Sequence, residues 1–165
     1  MDFARIFRHL IAEGIAHRHF PLPVLDAIQR AVADGERRHQ EQVCFAAEGA
    51  LTLGALWRGR TPRARAREVF AHLRIWDTER NSGVLIYVLL ADHAIEILAD
   101  RGIAAKVGES EWKSICEQMQ KSFVAGDFER GAVEGVTAVS EILVRHFPAD
   151  GSARTNELPD KPVVL

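Results

Sequence analysis

Val84 to Leu90 is apolar without alternation, the pattern of a central strand covered on both faces. Asp92 and His93 follow as a tight turn. Ile95, Ile97 and Ala99 then alternate with Ala94, Glu96, Leu98 and Asp100. That period of two predicts a partly solvated strand returning antiparallel to the first. Upstream, the apolar cluster Gln42 to Glu48, closed by Gly49, reads as another strand. Between these strands Thr61 can cap a helix and Pro62 suits its first position. Ala66, Val69, Phe70 and Leu73 share one face of it, and it should end near Ile75 or Trp76. Strand, helix and strand of this length make a βαβ unit, so the first two strands should be parallel.

Helical spacing governs the remainder. Asp2 to His17 sets Phe3, Ile6, Phe7, Leu10 and Ile11 on one stripe, with Arg5, Arg8 and His9 off it. A second helix runs from Pro23 to about Arg38 and turns Leu25, Ile28 and Val32 inward. Trp112, Ile115, Cys116, Met119 and Phe123 mark a later helix, which Gly126 and Asp127 interrupt. Phe128, Ala132, Val136, Val139 and Leu143 mark the last, which stops before Pro148. The expected architecture is a single α/β domain, a three-layer α/β/α sandwich around a small mixed sheet with an extra N-terminal helix. Residues 1–40 supply helices packed on a core of residues 41–148. Residues 149–165, polar and proline-containing, read as a flexible tail.

Composition narrows the partners. Lys and Arg number 21 against 23 Asp and Glu, a net charge of −2, so the chain lacks the basic excess of a nucleic-acid binder. Cys44 and Cys116 have no metal-ligand spacing and read as buried free thiols, which suits a reducing compartment. No run reaches the ~20 apolar residues of a membrane span. Arg5, Arg8, His9 and Glu13 interrupt the N-terminus where a secretory signal would be unbroken, so the expected location is cytoplasmic. Trp57, Trp76 and Trp112 are expected in the core.

Trp76 precedes a polar loop, and Asn81-Ser82-Gly83-Val84-Leu85 enters the apolar strand. The Asp92-His93 turn, the returning strand and Gly102 follow. Downstream comes Phe123 with Ala125-Gly126-Asp127-Phe128 and Gly131. In order and spacing these features resemble the TPM domain family. The resemblance covers Val43 to Phe147 and implies an α/β/α sandwich. It also implies one of several roles: weak acid phosphatase, divalent-cation binder, or accessory and regulatory module. Where the family has a Gly-rich acidic segment ending in Asp, this chain has Asp100-Arg101-Gly102-Ile103-Ala104-Ala105, with Glu109 near the Asp position.

Antiparallel pairing brings the start of the Val84 strand beside the end of the Ile95 strand. Asp77, Glu79 and Asn81 should therefore approach Asp100, Arg101 and the start of the Trp112 helix. Oxygen ligands from Asp77, Glu79, Asp100 and Glu109 would suit Ca²⁺ or Mg²⁺, with Asn81 and Arg101 as ligand-binding residues. The plainer alternative makes Asp77, Thr78 and Asn81 turn-formers and Asp100 with Arg101 a surface pair. As catalytic candidates, Asp77, Asp100 and Arg101 would serve phosphoester hydrolysis, the metal polarising a phosphoryl oxygen and Arg101 steadying charge. No nucleophile stands at diagnostic spacing. Arg63 and Arg65, inside the run from Arg58 to Arg67, form an anion-binding candidate or a solvated helix face. The N-terminal helix could contact a membrane surface or a partner, or pack on its own domain. The leading expectation is a TPM-like accessory or regulatory binding module, divalent-cation binding included, that contacts a protein partner or a small anionic ligand. The alternative is a weak divalent-metal-assisted acid phosphatase acting on phosphomonoesters.

Overall fold

The computed structural model describes residues 3–12, 14–151 and 156–165. Its sheet is built on β1 (Gln42–Glu48) and β2 (Gly83–Leu89), which pair in parallel with Val43 beside Val84 and Ala47 beside Val88. β3 (Ala94–Ala99) returns antiparallel along β2, with Ile86 opposite Ile97. Every residue of β1 and β2 is buried, as their unbroken apolar runs require of strands covered on both faces. Alternate side chains enter two separate cores. Val43, Phe45, Val84, Ile86 and Val88 point to one layer, whereas Cys44, Ala46, Leu85, Tyr87 and Leu89 point to the other.

The first layer holds α3 (Leu22–Glu36), α7 (Glu109–Val124) and α8 (Phe128–His146), which supply Ile28, Val32, Met119, Val136 and Leu143. The second holds α4 (Leu53–Trp57) and α5 (Pro62–His72), which supply Leu56, Ala66 and Val69. The α/β/α sandwich is therefore the observed fold. Thr61 caps α5 by accepting from the Ala64 amide at 3.2 Å, with Pro62 in the first turn. α5 ends at His72, short of the expected Ile75, because Arg74 takes a left-handed turn at φ 53°.

Three further expectations are corrected. The N-terminal helix is broken into α1 (Phe3–Ile11) and α2 (Ile15–His19), with Gly14 at φ 75° making the corner. Residues Asp2 and Glu13 lie outside the described ones. The last residues are no loose tail: β4 (Val163–Val164) adds a parallel strand beside β1, giving the sheet order β3-β2-β1-β4. Gln42 anchors this segment, its Oε1 accepting from the amides of Glu157 at 3.0 Å and Leu158 at 2.8 Å. Of the three tryptophans only Trp112 is core; Trp57 and Trp76 are 69% and 52% exposed.

Candidate functional site

At the N-terminal end of the parallel strands, two connections meet. The residues before β2 are shaped by turn chemistry. Buried Thr78 accepts from the Ser82 amide through Oγ1 at 2.8 Å, and Asn81 adopts φ 52°. Across from it, Asp100 donates its amide to the Gly83 carbonyl at 2.9 Å and caps α6 (Arg101–Ala104), Oδ1 accepting from the Arg101 amide at 2.7 Å. Gly102 closes the contact. A Cβ there would sit 2.8 Å from the Asn81 carbonyl oxygen and 2.9 Å from that of Arg80. The expected neighbourhood of the 77–82 connection and the Asp-Arg-Gly corner is thus formed by backbone against backbone.

The side chains are placed differently. Asp77, Glu79, Asn81 and Arg101 are exposed, while Asp100 is buried with its Oδ2 lacking a hydrogen-bond partner among the described residues. Glu109 is 95% exposed and faces Arg63 at 3.9 Å near the outer edge of β3. Among the described residues no three His, Cys, Asp or Glu side chains gather in a way that could hold a metal ion. Beside the 77–82 connection opens a cleft of about 560 Å³ between α3 and the C-terminal segment. Glu36, Glu79, Asp150, Glu157 and Asp160 line it against Arg37 and Arg80. Glu157 also accepts from the Glu79 amide at 2.9 Å, and Arg80 donates to Gln40 at 2.6 Å. Gln42 and Glu157 carried no sequence signal, because they lie 115 residues apart in the chain.

The arginines offered as an anion site are engaged inside the protein. Arg65 donates to both oxygens of buried Glu48, at 2.9 and 3.0 Å, and Tyr87 donates to Glu48 at 2.6 Å. Burial, and then the Glu48 charge, push the Tyr87 phenol far above its ordinary range, so it remains a donor. The Glu48 hydrogen bonds hold Arg65 above its own usual value. Arg63 donates to Glu96 at 3.1 Å and to the Ile97 carbonyl at 3.0 Å. Arg63 and Arg65, expected as an anion-binding candidate or a solvated helix face, thus turn guanidinium donors to Glu96, the Ile97 carbonyl and Glu48. Burial, followed by the charge of Glu36, raises the Cys44 thiol to about 12.

The other end of the parallel strands carries a cluster centred on Asp92. Arg5 grips this carboxylate from Nε at 2.9 Å and from a terminal nitrogen at 2.7 Å. His9, 3% exposed, sits with Nε2 3.0 Å from Asp92, and the Leu51 amide donates to its Nδ1 at 2.9 Å. That amide leaves Nε2 as the donor. Burial would raise the Asp92 carboxyl, but the Arg5 and His9 hydrogen bonds outweigh it and hold the group below its ordinary value.

These elements, in this order around a small mixed sheet, can be set beside known proteins. A profile of the TPM domain matches residues 24–142, more than two thirds of the chain. The chain belongs to the TPM domain family. No curated protein matches it. Among solved structures, the TPM fold seen here is similar to that of the BA42 protein from the psychrophilic bacterium Bizionia argentinensis, determined by NMR. The two share 26% identity over 87% of this chain and 93% of that one, with a TM-score of 0.74. The match to the TPM domain begins inside α3, so α1 and α2 precede it. No helix among the described residues is long and apolar enough to cross a membrane.

Proposed function

We propose that this TPM domain is an accessory binding module that takes a basic segment of a protein partner along its hairpin edge and the adjoining cleft. One observation carries the reading: the acidic groups at this edge are strung along a cleft instead of converging on a point. Glu79, Asp150, Glu157 and Asp160 reach solvent there against Arg37 and Arg80, with buried Glu36 behind them on the Val43 amide, and give the cleft a negative field. A single Ca²⁺ would want six or more oxygens around one centre, whereas an extended Lys- or Arg-bearing segment meets successive carboxylates one at a time. Asp100 supports the reading too. It is buried with its Oδ1 capping α6, and so stands apart from the exposed carboxylates of the cleft instead of forming a centre with them.

The test is fluorescence anisotropy with a labelled Arg/Lys-rich peptide and an acidic peptide of equal length. The basic peptide should bind, more weakly at high salt, and Glu79→Gln with Asp160→Asn should weaken it several-fold. Equal binding of both peptides, or of neither, overturns the proposal. A thermal shift with Ca²⁺ or Mg²⁺ but not with peptide would favour the cation-binding reading. Turnover of a phosphomonoester above background, lost in Asp100→Asn, would favour the phosphatase.

A further inference from the structure

α1 is docked the wrong way round for a helix that merely packs on its own domain. Its polar residues face inward: Arg5 on Asp92 and on the Arg60 carbonyl at 2.7 Å, Arg8 on the Ala91 carbonyl at 3.3 Å, His9 buried between Leu51 and Asp92. Its large apolar residues other than Ile6, which packs on the second core, face outward, with Phe3 75%, Phe7 62%, Leu10 55% and Ile11 66% exposed. These four positions form one stripe of an α-helix. α1 is tied to the chain on either side of α4: Arg5 reaches the Arg60 carbonyl, three residues past it, and His9 accepts from the Leu51 amide, two residues before it. α4 adds Trp57 and Leu53, 69% and 48% exposed. Six large apolar side chains on these two helices exceed the scattered exposure of an ordinary surface and mark a contact face.

Charge identifies the occupant. Residues 3–19 and 49–67 contain eight arginines. Six carboxylates answer them: Glu13 within these segments, and Glu48, Glu68, Asp92, Glu96 and Glu109 paired against them. The face is therefore positive on a chain whose net charge is −2. Exposed Arg58 directly follows Trp57, and exposed Arg18 and Arg67 carry further positive charge on α2 and α5. A second copy of the chain would set this positive face against itself, which like charges disfavour. Negatively charged headgroups over an apolar layer complement both features: aromatic and aliphatic side chains enter the interface, and arginines meet the headgroups.

We propose that the α1–α4 face seats the protein on an anionic lipid surface. The Asp92 cluster then acts as a clamp that holds α1 flat between domain and bilayer. The acidic cleft, at the far end of strands spanning about 20 Å, points elsewhere.

The full chain is mixed with vesicles of phosphatidylcholine alone, or of phosphatidylcholine with phosphatidylserine, and sedimented. Binding is expected to the anionic vesicles and to fall with salt. Phe7→Ser with Ile11→Ser should reduce it about tenfold or more while the thermal midpoint, measured in parallel, stays near that of the parent. Arg58→Gln with Arg67→Gln should weaken only the anionic component. A blue shift of tryptophan emission on binding should be lost in Trp57→Phe. No sedimentation with either vesicle, or equal sedimentation with both, overturns the proposal. So does a concentration-dependent dimer in equilibrium ultracentrifugation that Phe7→Ser dissolves.

Discussion

Replacing Gly102 by alanine tests the contact on which the hairpin edge depends. Gly102 lies inside α6, where alanine is favoured over glycine by about 1 kcal/mol in an unobstructed helix. Here the new methyl group would stand 2.8 and 2.9 Å from two carbonyl oxygens of the 80–81 connection. These are backbone atoms, so the obstruction cannot be relieved by a side-chain rotation. Overpacking of this kind costs about 1–3 kcal/mol. Gly54 in α4 is the control: a Cβ there meets only the Arg58 side chain, at 3.6 Å and beyond. Gly54→Ala should therefore stabilise by about 1 kcal/mol, and Gly102→Ala should fall about 1–3 kcal/mol below it. At about 2–4 °C per kcal/mol for a domain of this size, the thermal midpoints should separate by about 2–12 °C. Circular dichroism melts of the two variants measure this. Equal upward shifts would mean that the connection and the corner are not in contact, and the proposed edge would be lost.

Three other outcomes are expected. Gln42→Ala leaves the Glu157 and Leu158 amides without their buried acceptor, costing about 1–3 kcal/mol; hydrogen exchange of residues 156–165 should accelerate while α8 keeps its protection. Cys44, raised to about 12 by burial and then by Glu36, should resist alkylation at neutral pH in the native protein and react only on unfolding, as mass spectrometry of the modified peptide would read. Asp92 has a folded-state value below its unfolded one, so its contribution to stability is complete above about pH 4 and is lost as pH falls through the folded value; denaturant midpoints across that window should drop less in Asp92→Asn than in the parent.

Much of the layering follows from local pattern. The uninterrupted apolar run of β2 requires cover on both faces, and the helices with stripes through Ile28, Met119 and Val136 supply it on one side. The Thr61-Pro62 start of α5 is equally local, since cap and acceptor lie three residues apart. α4 was not legible, because five residues are too few to establish a helical period. β4 was not legible either: two residues make no strand signal until β1 offers them a ladder.

The candidate site divides the same way. Antiparallel return of β3 along β2 is written in the hairpin, and it brings the 77–82 connection to the Asp100 corner. Which acids converge is not, because each carboxylate answers to partners from distant segments: Glu109 to Arg63, Glu157 to the Glu79 amide, Glu48 to Arg65 and Tyr87. α1 makes the distinction plainest. Its apolar stripe is determined by residues three and four apart, so sequence alone establishes that the helix has two unlike faces. Which face turns inward depends on the partners waiting beneath it, and Asp92, more than eighty residues away, binds Arg5 and His9 and leaves the phenylalanines outside. Periodicity is a local property and survives in sequence; pairing across the fold is a comparison of alternatives that exists only once the chain has closed on itself.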